Sequence, residues 1–578
     1  MIAAAEGNPL FVEEMLALAL ETDELEVPPT IQALLAARLD RLEPEERVVL
    51  ECAAVEGKVF HHGSVALLLG DDPGPALAAL ARKDLVRPEP SLFAGERGFR
   101  FRHLLIRDAA YDSIAKESRA RLHERHAAWL EQKTGARVVE YEEIVGYHLE
   151  QAFRYQAELG TPDGELARRA ALRLGAAGRR AFLRSDSPAA VNLISRAAAL
   201  LPPDDPARVQ LIPNVRVVQG LGGDLSWATR ILESALESSD ASVRAHARVQ
   251  RAFLRLFTDQ EVTADELLAI SADAVSAFDG LRDEVGLTRA WRLAAQAHYL
   301  ARRAGGCVEA SEQALVHARR AGDTFEVREI VEWLAVALAS GPMPAAAAER
   351  RCRALLDETA GDRFLESTLD AVLAYLVAIQ GRPEEARALI ADGRSANEQG
   401  KLSRIPYFAF YGWWADPDAA EADLRRTLRA LEELGERTNY TTAAALLALV
   451  ACANGDYAEA EALSAKSEAA ARPNDVIANV LWRCARARAR LALGDRAAAA
   501  RLARAAVDFA ETSDFLDTHA TARETLAAVL EPGGAAAELA RAAELRDLKR
   551  GPSSAAPPSP APSSPARGPS RAAPPAPS

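Results

Sequence analysis

Few residues in this chain have the types and spacing that chemistry needs. A phosphate-binding loop requires closely approaching glycines, a Lys, and a Ser or Thr for magnesium, written GxxxxGK[ST]. No such string occurs. The nearest, Gly57-Lys58, is followed by Val59 and has Cys52 where the first Gly would stand. The chain alone is therefore expected not to hydrolyse ATP and to hold no nucleotide by itself. His123 and His126 lie three positions apart, whereas a helical zinc pair needs i and i+4, and no third ligand is at hand. His148 reads as a core residue. The cysteines, Cys52, Cys307, Cys352, Cys452 and Cys484, never form CxxC and have no His at ligand spacing, so they read as small buried residues in a reducing cytoplasm. There is no GxSxG elbow, and no carboxylate pair stands apart from the many on helix faces. Neither catalytic nor metal-binding residues are assigned.

What remains are groups suited to binding. Gly7-Asn8-Pro9 forms a turn ahead of a short amphipathic helix, and His103 stands at a strand-to-helix junction followed by Arg107-Asp108. The aromatics Trp291, Tyr299, Trp333, Tyr407, Tyr411, Trp413, Trp414 and Trp482 are divided between core and binding surface. Trp413-Trp414 is the best candidate for an exposed patch, because neighbouring residues of one helix cannot both face inward.

The elements that position these groups follow a repeat. Asn454-Gly455-Asp456 recurs 39 residues later as Leu493-Gly494-Asp495. In both copies an Ala follows five residues after the Gly (Ala460, Ala499) and a Leu eight after it (Leu463, Leu502); Gly381 with Ala386 and Leu389 fits the same frame. Gly ends a helix at little steric cost, and Asp caps the next by accepting from its free N–H groups. The small residue lets the two helices approach closely. Weaker matches fall near Ser185, Gly223, Thr258–Val262, Gly305, Gly341, Ala415–Pro417 and Pro532–Gly534. Steps of roughly 34 to 43 residues, all helical, predict an α-solenoid of tetratricopeptide-like hairpins over residues 181–548.

At 578 residues the chain exceeds one core. It has no apolar run able to span a membrane and no signal-like N-terminus, so a cytoplasmic location is expected. A net charge of −14 argues against a general nucleic-acid surface. Its preference for Arg over Lys, with abundant Ala, points to a GC-rich bacterial coding sequence.

Residues 44–115 read as a winged helix: helices near 45–55, 63–69 and 75–83, a short strand at 85–87, then a hairpin over 92–101 turning at Gly95. Its third helix is mostly Ala and offers almost nothing to a base edge before its last turn, which speaks against DNA binding. The run from Phe99 to Ile114 leaves the wing and starts a long helix, and connecting helices occupy 116–180. Two short helices within 1–43 cannot bury enough surface to stand alone.

The Gly7–Glu14 stretch and the Phe99–Ile114 stretch, in this order and followed by repeats, resemble the STAND class of signalling ATPases. In particular the chain resembles the large bacterial regulators that join a nucleotide-binding module, a winged helix and tetratricopeptide-like repeats, some fused to a nucleotide-cyclase domain. The resemblance covers nearly everything to about Leu548. It implies that residues 1–43 are a helical remnant of the ATPase module, that Gly7 and Pro9 match the turn placed against the adenine, and that His103 matches the residue sensing the phosphates. Where relatives follow that His with an acidic residue, this chain has Leu104. A local backbone cap is the other reading of His103. ATP or ADP would bind only if a P-loop module were supplied.

Residues 549–578 are different material. Ten of the 28 residues from Gly551 are Pro, and only Arg567 and Arg571 are charged, so this tail is expected to be disordered; a shifted reading frame is one possible origin. The chain as a whole is expected to be the regulatory, protein-interaction portion of a STAND-type regulator, taking a protein partner or small effector on its solenoid and pairing with a separate P-loop ATPase or cyclase module. A stand-alone repeat scaffold and a winged-helix DNA-binding transcription regulator are the alternatives.

Overall fold

Apolar residues at helical spacing, punctuated by Gly and Asp, produce the helix-after-helix order seen in a computed structural model. It describes residues 31–91, 93–183, 186–202, 205–211, 226–259, 261–399, 407–415, 417–434 and 437–551. The chain divides into two compact units, residues 1–211 and 212–578.

The first unit begins with α1 (Ile31–Leu39) and α2 (Pro44–Glu56). The start of α2 is fixed by Pro44 in its first turn and by a capping box between Glu43 and Glu46. Next come β1 (Val59–His61), α3 (His62–Leu69), α4 (Gly74–Arg82), β2 (Val86–Glu89) and β3 (Gly98–Phe101). The strands form an antiparallel sheet in the order β1-β3-β2, with Phe60 opposite Phe99 and Val86 opposite Phe101. The three helices agree with the sequence expectation to within a residue or two, but the sheet does not. Of the expected hairpin over 92–101 the described residues form one strand, Gly98–Phe101, and its partners are β2 and β1, the latter not foreseen. Phe93 explains the difference: its ring lies 5.5 Å from Trp129, 4.9 Å from His61 and 5.4 Å from Tyr141, so it packs as an aromatic plug rather than pairing in a ladder. Gly98 is needed where β2 and β3 meet, since a Cβ there would lie 2.6 Å from the Glu89 carbonyl oxygen.

The single helix expected after the wing is two: α5 (Leu104–Ser113) and α6 (Lys116–Thr134), parted at Ile114, whose backbone is extended. Then α7 (Glu142–Glu158), α8 (Gly164–Leu183), α9 (Ser187–Leu200) and the short α10 (Pro206–Gln210) complete the unit, with α6 against α7, α7 against α8 and α8 against α9. Ser187–Leu200 thus packs within the first unit, although the repeat spacing assigns it to the solenoid.

The second unit is built of helix hairpins. In order these are α11 (Ser226–Leu236), α12 (Ala241–Thr258), α13 (Ala264–Leu281), α14 (Glu284–Leu300), α15 (Ala304–Ala321), α16 (Thr324–Ser340), α17 (Ala345–Glu358), α18 (Arg363–Ile379) and α19 (Pro383–Gln399). There follow α20 (Tyr407–Tyr411) with a 3₁₀ turn at Gly412–Trp414, α21 (Pro417–Leu434), α22 (Arg437–Ala453), α23 (Tyr457–Ala470), α24 (Val476–Ala492), α25 (Arg496–Ala510), α26 (Leu516–Val529) and α27 (Pro532–Arg550). The fold is an α-solenoid of tetratricopeptide-like hairpins beside one small sheet.

The sequence logic of the hairpins holds atom by atom. Gly381, Gly455 and Gly494 have φ of 83°, 80° and 88°, values that only Gly adopts without cost. The Asp456 side chain accepts from the Glu459 N–H and that of Asp495 from the Ala498 N–H. Asp240, Asp283, Asp323, Asp362 and Asp475 cap further helices in the same way. Ala386, Ala460 and Ala499 are fully buried where the paired helices touch.

Candidate functional site

The stacking of these pairs encloses space. A cavity of about 1,250 Å³ opens within the second unit, lined mainly by the first helix of successive pairs: α14, α16, α18, α22, α24 and α26, together with α20 and its 3₁₀ turn. It is a closed bowl because the array curls until its end meets its middle. The carboxylate of Asp514, just before α26, accepts from the N–H groups of Ala304 and Gly305 at 2.7 and 2.9 Å, and so caps α15 from more than 200 residues away. Lys549 in α27 is buried and donates to the carbonyls of Leu338, Gly341 and Met343 at 2.8, 2.8 and 3.1 Å. Burial lowers its ammonium to a pKa of about 8. The Tyr375 hydroxyl of α18 donates to Asp517 of α26 at 2.6 Å.

Rings dominate the wall. Tyr299 stands 5.2 Å from Trp333 and 5.3 Å from Phe515, and Tyr375 lies 5.6 Å from both Tyr411 and Trp414. The Tyr375 and Tyr407 hydroxyls are engaged by the protein. Tyr407 donates to Glu332 at 2.9 Å, and the Ser340 hydroxyl donates to the Val336 carbonyl at 2.9 Å. Burial raises the phenols of Tyr299, Tyr375 and Tyr411 well above the usual range, so they stay protonated. Arg546 on the rim is paired with Asp517 at 3.2 Å and Glu524 at 2.9 Å.

Of the aromatics singled out in the sequence, Tyr299, Trp333, Tyr407, Tyr411, Trp413 and Trp414 line this cavity, while Trp291 and Trp482 pack into the core. Trp413 and Trp414 form no outward patch. Both are half-buried on the cavity wall, in a 3₁₀ turn rather than an α-helix. Gln296, which sequence reasoning passed over, also lines the cavity.

The other predicted positions lie in the first unit. Gly7 and Pro9 fall outside the described residues. His103 is half-buried in extended backbone at the start of α5, where its side chain makes no helix-capping hydrogen bond. Arg107 pairs with Asp108 at 2.7 Å and donates from Nε to the Ala54 carbonyl at 3.2 Å, which ties α5 to α2 rather than leaving a solvated pair. His123, His126 and His148 are brought together in the core. His123 Nδ1 is 2.8 Å from His148 Nδ1, His123 Nε2 is 2.7 Å from the Tyr111 hydroxyl, and His126 Nδ1 is 2.9 Å from Ser64 Oγ. Burial holds all three below the usual imidazole range, His123 at about 3. Among the described residues no cluster of His, Cys, Asp or Glu is arranged to hold a metal ion.

No protein-family model matches the chain, and no curated protein does. Among solved structures it is similar to a signal transduction ATPase with numerous domains (STAND) protein with a tetratricopeptide repeat sensor from Pyrococcus horikoshii. That match has 15% identity and a TM-score of 0.50, and covers 88% of this chain and 68% of that one. It is also similar to the APC/C hetero-tetramer Cut9–Hcn1, with 13% identity and a TM-score of 0.40 over 75% of this chain and 88% of that one. At such identities the likeness shows the fold: a helical-repeat protein of the tetratricopeptide type. Among the described residues no helix is long and apolar enough to cross a membrane.

Proposed function

We propose that this chain is the regulatory and partner-binding portion of a STAND-type signalling ATPase, with an effector or partner seated in the solenoid. The observation that carries the proposal is the ring-lined cavity closed by Asp514 and Lys549. A concave surface assembled from many repeats changes shape when its repeats shift slightly, so a ligand that prefers one curvature biases the equilibrium of whatever is attached. We read the helices and sheet of residues 44–115 as a winged helix serving as the regulatory arm. The order of motifs around Gly7, Pro9 and His103 supports that reading. Of the nucleotide-contact set only His103 lies among the described residues, no GxxxxGK[ST] string occurs in the sequence, and one imidazole does not make a nucleotide site. Any ATPase or cyclase chemistry would belong to a separate module. A DNA-reading role fits poorly, because α4 buries Leu77 and Leu80 and is otherwise mostly Ala.

The test supplies a P-loop module of the class in trans. Co-purification with the full chain, with ADP affinity gained by the pair and reduced by His103→Ala, is the expected result. No association and no gain in nucleotide affinity would overturn the proposal.

A further inference from the structure

The carboxylates that line the cavity are all matched. Asp517 and Glu524 hold Arg546, Glu421 pairs with Arg425 at 2.9 Å, and Asp475 accepts from the Ala478 N–H at 3.1 Å and the Thr441 hydroxyl at 2.9 Å. Of the lining cations, Arg437 and Arg472 are exposed. Arg488 of α24 is different: it is half-buried and forms no ion pair among the described residues. Ile477, Leu481, Arg488 and Leu491, separated by four, seven and three residues in turn, share one face of α24, and all four line the cavity. The Arg488 Nε donates at 3.2 Å to the hydroxyl of Thr525, a buried residue of α26 whose own proton goes to the Thr521 carbonyl at 2.9 Å. That bond restrains the guanidinium plane and leaves Nη1 and Nη2 without a partner among the described residues. Both atoms are open to solvent, in contrast to the unpartnered nitrogens of Arg292 and Gln296, which are shut away from it.

We infer that Arg488 anchors the head of an amphipathic monocarboxylate whose apolar body lies along the rings and aliphatic side chains of the cavity. The inference rests on the effector-binding reading of the cavity and names the ligand's chemistry. The paired Nη–H groups of a guanidinium match the two oxygens of a carboxylate, and both bonds are charge-assisted. Inside a cavity, where the walls exclude much of the water, such a pair is stronger than on an open surface. One negative charge suits the place, because Glu524, next in sequence to Thr525, disfavours a dianion such as a phosphate monoester. The walls given by α22 and α24 include Leu446, Leu449 and Leu481, which present only carbon. A peptide carries the same carboxylate at its C-terminus, but its amides would go unpaired against those side chains. At about 1,250 Å³ the cavity exceeds the usual ~300–1,000 Å³ of ligand sites, so there is room for a long or aryl-substituted body beyond the head.

Titration calorimetry of the full chain with octanoate and 6-phenylhexanoate tests this, with 1-octanol and 6-phenylhexan-1-ol as the uncharged counterparts. At least one acid should bind at submillimolar concentration and its alcohol about 10- to 100-fold more weakly, as expected for a lost charge-assisted pair. Arg488→Met should weaken the acid by that factor and leave the alcohol unchanged, and Arg488→Lys should recover part of the loss. Arg437→Gln, which removes an exposed cation of the same cavity, should leave the acid's affinity as it was. The inference is overturned if neither acid binds below millimolar, if the alcohols bind as tightly, if Arg437→Gln costs as much as Arg488→Met, or if both Arg488 variants keep the parent's affinity for the acid. Should Arg488→Met weaken acid and alcohol alike, the bowl itself has changed and Arg488→Lys decides: a loss confined to the acid supports the inference, and an equal loss of both overturns it. If the acids fail but the chain still pairs with a P-loop module, this inference falls and the regulatory reading stands; if the acids bind as expected and pairing fails, the site stands and the regulatory reading falls; if both fail, both fall.

Discussion

Acidification to pH 5 should unfold the first unit before the second. His123, His126 and His148 are each at most 2% exposed, and desolvation pushes each of them below the ordinary imidazole range. His126, Arg107 and Arg119 add repulsion at His123; His126, His123 and Arg107 do so at His148; at His126, Glu56 works in the opposite sense and His61 in the same. In the unfolded chain each titrates near ~6.5. Between that value and the folded one the unfolded state holds more protons, so the stability they contribute is complete above pH ~6.5 and is lost as pH falls. The slope is ~1.4 kcal/mol per pH unit for each group, so at pH 5 a group such as His123, titrating near 3 when folded, costs about 2 kcal/mol. His126 and His148 are shifted in the same direction, so they act in the same sense. Hydrogen exchange of the full chain, corrected for intrinsic rates, reads this out separately for peptides of α6 and α7 and for peptides of α18 and α22. His148→Gln should flatten the dependence in the first set by ~1.4 kcal/mol per unit between pH 6 and 5. Equal protection at pH 7 and pH 5 in α6 and α7, or a variant with the parent's slope, would refute the reasoning.

Two further outcomes follow from the hairpins and their closure. Asp495→Ala should cost about 1 kcal/mol by leaving the start of α25 uncapped, and Gly494→Ala about 1–2 kcal/mol by forcing a Cβ into left-handed backbone; equilibrium unfolding measures both, and an effect below ~0.3 kcal/mol would contradict the capping account. Lys549→Met should cost about 2–3 kcal/mol by stripping the donor from three buried carbonyls, and faster exchange at the ends of α16 and α27 would locate the loss; unchanged exchange there would mean that the lysine does not hold the bowl closed.

The repeat was legible because its cause is local. Gly at 381, 455 and 494, Asp at 456 and 495, and Ala five residues past each Gly act within one hairpin, and each sits in the structure as its type requires. The wing was misread because alternation over 92–101 is also what an aromatic plug looks like, and only the presence of Trp129 and Tyr141 decides where Phe93 goes. The meeting of His123 and His126 with His148, 25 residues beyond His123, depends on α6 lying against α7, which no local pattern shows.

The cavity was hidden for a stronger reason. Nothing near Asp514 announces that it will cap a helix starting at Ala304, and nothing near Lys549 announces that it will sit among the carbonyls of α16. Both contacts arise only when some seven hairpins have accumulated enough curvature to meet, and curvature is the sum of many small packing angles. Gln296 shows the consequence. In a linear reading a Gln on an amphipathic helix belongs on the solvated face. Closure turns that assignment over: the face becomes part of the wall of a bowl, and the side chain is buried rather than solvated.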